Sequence, residues 1–439
     1  MQHTLHYFRQ PHRSWVSRLR FVAAAVLTGS VLGGCSPEEA STEVAQSGEL
    51  PTNSVRAAQL AQRYLIVDTH IDVPYRVYKA YVDVSQTTAD GDFDFPRAKA
   101  GGLDALFMSI YVPADVDEAG NAKAFADGLI DSVEDLAAHA PEKFAIATCS
   151  ADVHAIKSSG RIALPMGMEN GGPIGGSFDN LEYFADRGIR YITLTHSKSN
   201  HISDSSYDDN EHWQGLSEFG KTLIPQMNLQ GVMIDISHVS DRAFWQVVEL
   251  TQAPIIASHS SLRHFTPGFQ RNMTDEMVAA LGKNGGVIQI NFGSSFLSAT
   301  TRAYATAAQQ AVATFKDAQH LADDDPHLLA FIENYRVENP YPFAAVTNVL
   351  DHIDRVVELT GINHVGLGSD YDGVGDSLPN GLKDVSEYPN LVAGLLQRGY
   401  RDEDIEKILG GNIMRVWAEV EAYASATGNP PQCRQISGA

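Results

Sequence analysis

The chain has 439 residues, 44% hydrophobic and 20% charged, with 54 acidic against 32 basic side chains and a net charge of −22. This is the composition of a folded globular protein, and its acidic excess argues against a nucleic-acid partner, whose affinity comes from neutralised phosphates. Length alone does not divide it, because barrels of the (β/α)8 kind run past about 250 residues as one unit.

At the amino end, Arg9, Arg13, Arg18 and Arg20 are the only charged side chains before Cys35. An apolar run over 21–27 follows, then the small residues TGSVLGGCS. A basic segment, a short apolar core and a small-residue cleavage site predict a secretory signal peptide over 1–34. The apolar run falls short of the about 20 residues a spanning helix needs. The ending Leu32-Gly33-Gly34-Cys35 resembles a bacterial lipobox, which implies that Cys35 becomes the lipidated first residue of an exported protein anchored to the cell envelope. Ser36 after it suits sorting to an outer membrane, if one is present; the alternative is a plain cleaved signal with an incidental cysteine. Membrane contact is expected only through that anchor. Residues 35–55 are polar and without apolar periodicity, as in a flexible tether. A folded domain is expected over 56–425 and a tail over 426–439. Cys149 and Cys433 could oxidise in an exported protein, but their pairing is not readable from sequence.

Within the domain, short apolar runs alternate with longer amphipathic ones. The apolar runs are LIVDTH (65–70), ALFMSIYV (105–112), IALPMGME (162–169), RYITLTH (190–196), GVMIDISH (231–238), PIIASHS (254–260), GVIQINF (286–292) and HVGLGSD (364–370). Patterns such as DRAFWQVVELT and TDEMVAALGKNG between them read as helices. Eight strands alternating with helices predict a parallel α/β sheet closed into a (β/α)8 TIM-type barrel, with a doubly wound open sheet as the alternative. A helical insertion over about 294–340 follows the seventh strand, as a lid or side structure at the barrel mouth.

Six of these runs carry a ligand-type residue at or just past the carboxyl end: His70 with Asp72, Glu169, His196, His238, His259 and Asp370. In such a barrel the carboxyl ends converge on one face, where active sites are built. Crowding these groups there costs several kcal/mol unless metals or hydrogen bonds compensate. Imidazoles and carboxylates together suit zinc, and the lack of cysteine argues against a closed structural site. More than four ligands suggests two ions sharing a carboxylate and a water, the arrangement of metal-assisted hydrolysis. No G-x-S-x-G elbow, P-loop or dinucleotide fingerprint stands after a strand, so acyl-serine and nucleotide chemistry lack support.

The segments LIVDTHIDVP, GMEN, YITLTHSKSN, EFGKTLIPQMNLQGVMIDISHVS, PIIASHSS, RNMTDE, HVGLGSDYDG and GGNIMRV, in this order from about 65 to 416, resemble the membrane dipeptidase (renal dipeptidase) family of zinc metallopeptidases. The resemblance implies hydrolysis of dipeptides, including those with a D-residue at the carboxyl end, by a hydroxide bridging two Zn2+. It implies that His70 and Asp72 bind one zinc, His238 and His259 the other, and that Glu169 bridges them. His196 would hydrogen-bond the oxyanion, Asp370 would move the proton, and Arg271 would clamp the substrate carboxylate. Two loops depart from the family spacing by one residue, after His196 and between His259 and Arg271, which leaves Arg263 or His264 as alternative carboxylate partners. The segment HISDSSYDDNEHW (201–213) reads either as a solvated loop or as a specificity wall. Other amides, esters or lactones are alternative substrates for the same barrel, and a silent binding lipoprotein is the alternative from another class. A homodimer is left open.

Overall fold

The computed structural model describes residues 54–430 and 432–434. Ten parallel strands form one sheet: β1 (Ile66–Ile71), β2 (Leu103–Tyr111), β3 (Phe144–Ile146), β4 (Ile162–Leu164), β5 (Met166–Glu169), β6 (Ile189–Thr193), β7 (Met233–Asp235), β8 (Ile256–Ser260), β9 (Val287–Ile290) and β10 (Val365–Leu367). Their order is β1-β10-β9-β8-β7-β6-β5-β2, and β1 also pairs with β2, so eight strands close into a barrel with helices around it.

One of the two remaining strands, β4, is set apart by a proline. Residues 162–169 read as a single strand, but Pro165 has no N–H to donate and splits the run into β4 and β5. Met108 N–H donates to the Pro165 carbonyl at 2.8 Å, which carries β2 past the break. Below it β4 pairs with β2 and with β3, a short strand missing from the eight expected; above it β5 pairs with β2 and β6.

Alternation along the strands divides the apolar residues between two compartments. Ile66, Leu106, Ile192, Ile234, Ile288 and Leu367 pack outward into the large core under the helices. Val67, Phe107, Tyr191, Met233, Ile256 and Val287 fill the barrel. The carboxy-terminal helix Asn412–Ala426 seals that filling from one end with the fully buried Trp417, whose ring lies 5.3 Å from Phe107. With that end plugged, only the other mouth can present a site.

The first described helix, Ser54–Arg63, starts inside the segment expected to be tether, and buries Ala57, Leu60 and Ala61. At the other end Cys149 and Cys433 form a disulfide, with Cα atoms 5.1 Å apart, which ties the tail to the body. After β9 the insertion runs as Ser294–Leu297, Ala299–Gln319 and Pro326–Glu338. Its long helices form a hairpin with a small core of its own, where Phe315 stacks on Phe331 at 4.2 Å. No described helix is long and apolar enough to cross a membrane. The signal segment and Cys35 lie outside the described residues.

Candidate active site

All seven ligand-type residues singled out in the sequence meet at the open mouth. His70 and Glu169 lie on β1 and β5, and His259 on β8. His196, His238 and Asp370 each stand three residues beyond a strand, on turns. Two of these turns are strained: His238 and Asp370 have φ of +71° and +63°. A non-glycine residue held in this left-handed region costs about 1–3 kcal/mol and persists where its surroundings over-determine it, as functional sites do. Gly373 shows how tightly the β10 turn closes. A Cβ there would lie 2.2 Å from both Asp370 Oδ1 and Asp72 Oδ2, so only glycine lets the two carboxylates approach this way.

Glu169 is the centre, and its two oxygens face different partners. Oε2 lies 3.4 Å from His70 Nε2, which is itself 3.6 Å from Asp72 Oδ2. Oε1 lies 3.2 Å from Nε2 of both His196 and His238, and 3.3 Å from His259 Nε2. Asp370 joins the His70 and Asp72 side, with donor atoms within 4.8 Å of theirs. Six of the seven are buried; Asp370 is partly exposed.

Neutral polar residues behind the cluster set which nitrogen faces inward. Tyr191 donates its hydroxyl proton to the Thr69 carbonyl at 3.0 Å and so accepts from His70 Nδ1 at 2.8 Å. Ser258 donates to Asp235 at 2.6 Å and so accepts from His259 Nδ1 at 2.8 Å. Both histidines are thereby held as the tautomer whose Nε2 lone pair points into the site, the usual support for a metal-binding imidazole. Asn291 donates to Asp370 Oδ2 at 2.7 Å and fixes that carboxylate. Sequence reading passed over Tyr191 and Asn291. An inward position on β6, and a polar residue just past the apolar end of β9, were the signals available.

These residues fit a metal centre on their own evidence. His70 Nε2 and Asp72 Oδ1 are buried without a hydrogen-bond partner among the described residues, an arrangement that costs free energy unless a cation uses their lone pairs. His238 and His259 present Nε2 atoms 2.9 Å apart, both toward Glu169. Electrostatics agree. Burial, reinforced by Arg271 and a neighbouring histidine, holds His238 and His259 well below the usual imidazole range, in the neutral form a metal requires. Burial pushes the Glu169 carboxyl up, but His196 and His70 outweigh it and keep it ionised, well below its usual range. At His70, burial is overcome by Tyr191, Glu169 and Asp72, which raise it well above the usual value. The field that favours a proton on His70 Nε2 also favours a divalent cation there.

Among the cationic residues proposed for a substrate carboxylate, the structure separates three. Arg263 is spent on a bidentate pair with Asp241, at 2.7 and 2.8 Å. His264 is half exposed and lies 3.8 Å from Asp275. Arg271 is buried against the site, donating to the His259 carbonyl and to Ser260 Oγ, both at 2.7 Å. Its Nε has no partner among the described residues. In the 201–213 loop, Tyr207 reaches over His238, with ring centroids 5.8 Å apart, so part of that loop walls the mouth.

Residues 54–431 match the family model described as membrane dipeptidase, peptidase family M19. The chain belongs to this family. Among similar proteins, dipeptidase tcpJ of Claviceps purpurea is 33% identical over 373 residues, covering 82% of this chain and 78% of that protein. Dipeptidase aclJ of Aspergillus oryzae is 35% identical over 341 residues, covering 76% and 71%. Among solved structures, the probable dipeptidase PvdM from Pseudomonas aeruginosa superposes with a TM-score of 0.72 at 28% identity, over 84% of this chain and 99% of that one. A metallopeptidase from Rhodobacter sphaeroides, solved with a phosphinate mimic of L-Ala-D-Ala, shares the fold, with a TM-score of 0.67 at 23% identity over 81% and 99%. A membrane dipeptidase is a metallopeptidase, and the mouth of this barrel offers the donor groups such an enzyme needs.

Proposed function

We propose that this protein hydrolyses dipeptides with two zinc ions, and that its substrates include dipeptides with a D-residue at the carboxyl end. The observation that carries the two-ion reading is the division of donors across Glu169. His70 and Asp72 lie on the side of Oε2, and His196, His238 and His259 on the side of Oε1; of these three, His238 and His259 would be the ligands and His196 would face the substrate. A carboxylate so placed would hold an ion on each side, and the family membership supplies the substrate class. Bound zinc supplies a water acidified towards neutral pH and a Lewis acid on the scissile carbonyl.

The chain's own groups do the rest. Burial and the charges of Asp72 and Glu169 push the Asp370 carboxyl well above its usual range, against the pull of His70. Asp370 is thus suited to take a proton from the attacking water and return it to the leaving amine. Asn291 holds it in place by Oδ2. His196, with a buried Nδ1 that has no partner among the described residues, would stabilise the oxyanion. Arg271 binds the free carboxylate with N–H groups not used on His259 and Ser260.

The test is a panel of L-L and L-D dipeptides on purified protein with zinc content measured. Turnover is expected, lost to a chelator and regained with zinc. Absence of turnover on the whole panel at several metal loadings removes the reading, and including esters and lactones shows whether another substrate takes its place.

The site of action that fits is outside the cytoplasm, on a lipid anchor at Cys35. The Cys149–Cys433 disulfide supports export, since such bonds persist in oxidising compartments. Mass analysis of the mature amino terminus decides the anchor: an unmodified Cys35, or cleavage elsewhere, overturns it.

A further inference from the structure

The insertion between β9 and β10 brings a second guanidinium to the mouth. Arg302, in the first turn of the helix Ala299–Gln319, holds its guanidinium carbon 3.8 Å over the ring of Phe269. Phe269 packs edge-on against Phe296 at 5.6 Å, and Arg271 lies over that second ring at 5.5 Å. Phe269 also meets Tyr207 at 6.1 Å, the residue that covers His238. An aromatic wall thus runs outward from the cluster, with Arg271 at its inner end and Arg302 at its outer end.

Arg302 differs from the other arginines around it. Arg263 is paired with Asp241, and Arg336, the other arginine of the insertion, with Asp376. The guanidinium of Arg302 has no carboxylate or carbonyl partner among the described residues, although it is half-buried. Burial lowers its pKa and Tyr207 opposes this, as expected of a cation partly stripped of water without an anion beside it. In a chain with an excess of acids, leaving one half-buried cation unpaired at the substrate entrance is costly unless a ligand supplies the counter-charge.

We infer that Arg302 reads a second carboxylate, selecting dipeptides whose carboxyl-terminal residue has an acidic side chain. This rests on the proposed dipeptidase reading, in which Arg271 takes the main-chain carboxylate. The side chain of that residue then extends along Phe296 and Phe269 towards Arg302. A guanidinium held over an aromatic face keeps its N–H groups available for a planar carboxylate.

The experiment compares kcat/KM for Ala-Glu and Ala-Gln, which differ by the charge alone, in wild type, Arg302→Gln and Arg302→Lys. Wild type is expected to favour Ala-Glu, and Arg302→Gln to cut the Ala-Glu to Ala-Gln ratio about 10-fold, mostly through KM. Arg302→Lys, which keeps the charge but not the fork, should retain part of the ratio. Competitive inhibition by free glutamate against glutamine gives a second readout that needs no turnover of the acidic substrate, and should move in parallel. Turnover of Ala-Gln by each variant reports that it is folded. A wild-type ratio near one, or an unaltered ratio in Arg302→Gln, overturns the inference and leaves dipeptide hydrolysis standing. Failure of wild type on every dipeptide removes the parent reading and this one with it.

Discussion

Asp370 is the residue where geometry leaves two roles in competition. Its donor atoms are within 4.8 Å of those of His70 and Asp72, close enough to serve as a ligand, yet Asn291 occupies Oδ2 and burial favours its protonated form. Asp370→Asn separates them, because an amide cannot shuttle a proton but fills the same space. Zinc content near that of wild type with turnover lowered about 10²-fold or more is expected; loss of zinc would make Asp370 a ligand. Residue types carried much of this site. Histidines and carboxylates at the ends of apolar runs stand out because such groups are costly there without a purpose. Tyr191 and Asn291 do not stand out, being neutral residues that a sheet tolerates anywhere, and only their partners reveal what they do.

Between elements, the connection from β1 to β2 is locked to the turn after β10. Asp372 accepts from the Asp92 N–H at 2.7 Å and from Arg76 at 3.1 Å, while Asp92 accepts from the Asp372 N–H at 2.8 Å. Burial and the adjacent Asp372 push the Asp92 carboxyl up to about 7, against about 3.9 for an unperturbed aspartate. Between those values the folded protein binds more protons here than the unfolded chain, so this group's contribution to stability falls as pH rises from about 4 to about 7. Asp92→Asn keeps an oxygen for the Asp372 N–H and removes the titration. Its stability relative to wild type, from urea unfolding, should therefore climb across that window and level off above it. A difference independent of pH would show that the carboxyl is not raised. Elements were legible where period and length agreed, as in the run of strands and helices. The break at Pro165 and the short β3 were not, because three residues of a strand have no period of their own.

For the molecule as a whole, the disulfide joins residues 284 positions apart and holds the tail beside the helix Ser150–Ser158, where Arg434 N–H also donates to Asp152 at 3.2 Å. Cys149→Ser, studied under oxidising conditions, is expected to lower stability by about 2–4 kcal/mol; equal melting of variant and wild type would mean the bond contributes nothing. Strands and helices in alternation were enough for the barrel class, and the residues that end the strands were enough to mark the donor groups of its mouth. Those are local properties: a period of two, and a costly side chain at a strand terminus. Only the closed barrel brings Trp417 to plug one end, Cys149 to Cys433, Arg263 to Asp241, and separate donor sets to the two oxygens of Glu169. Each of these depends on where distant segments are placed when the barrel closes, and no stretch of sequence contains that information.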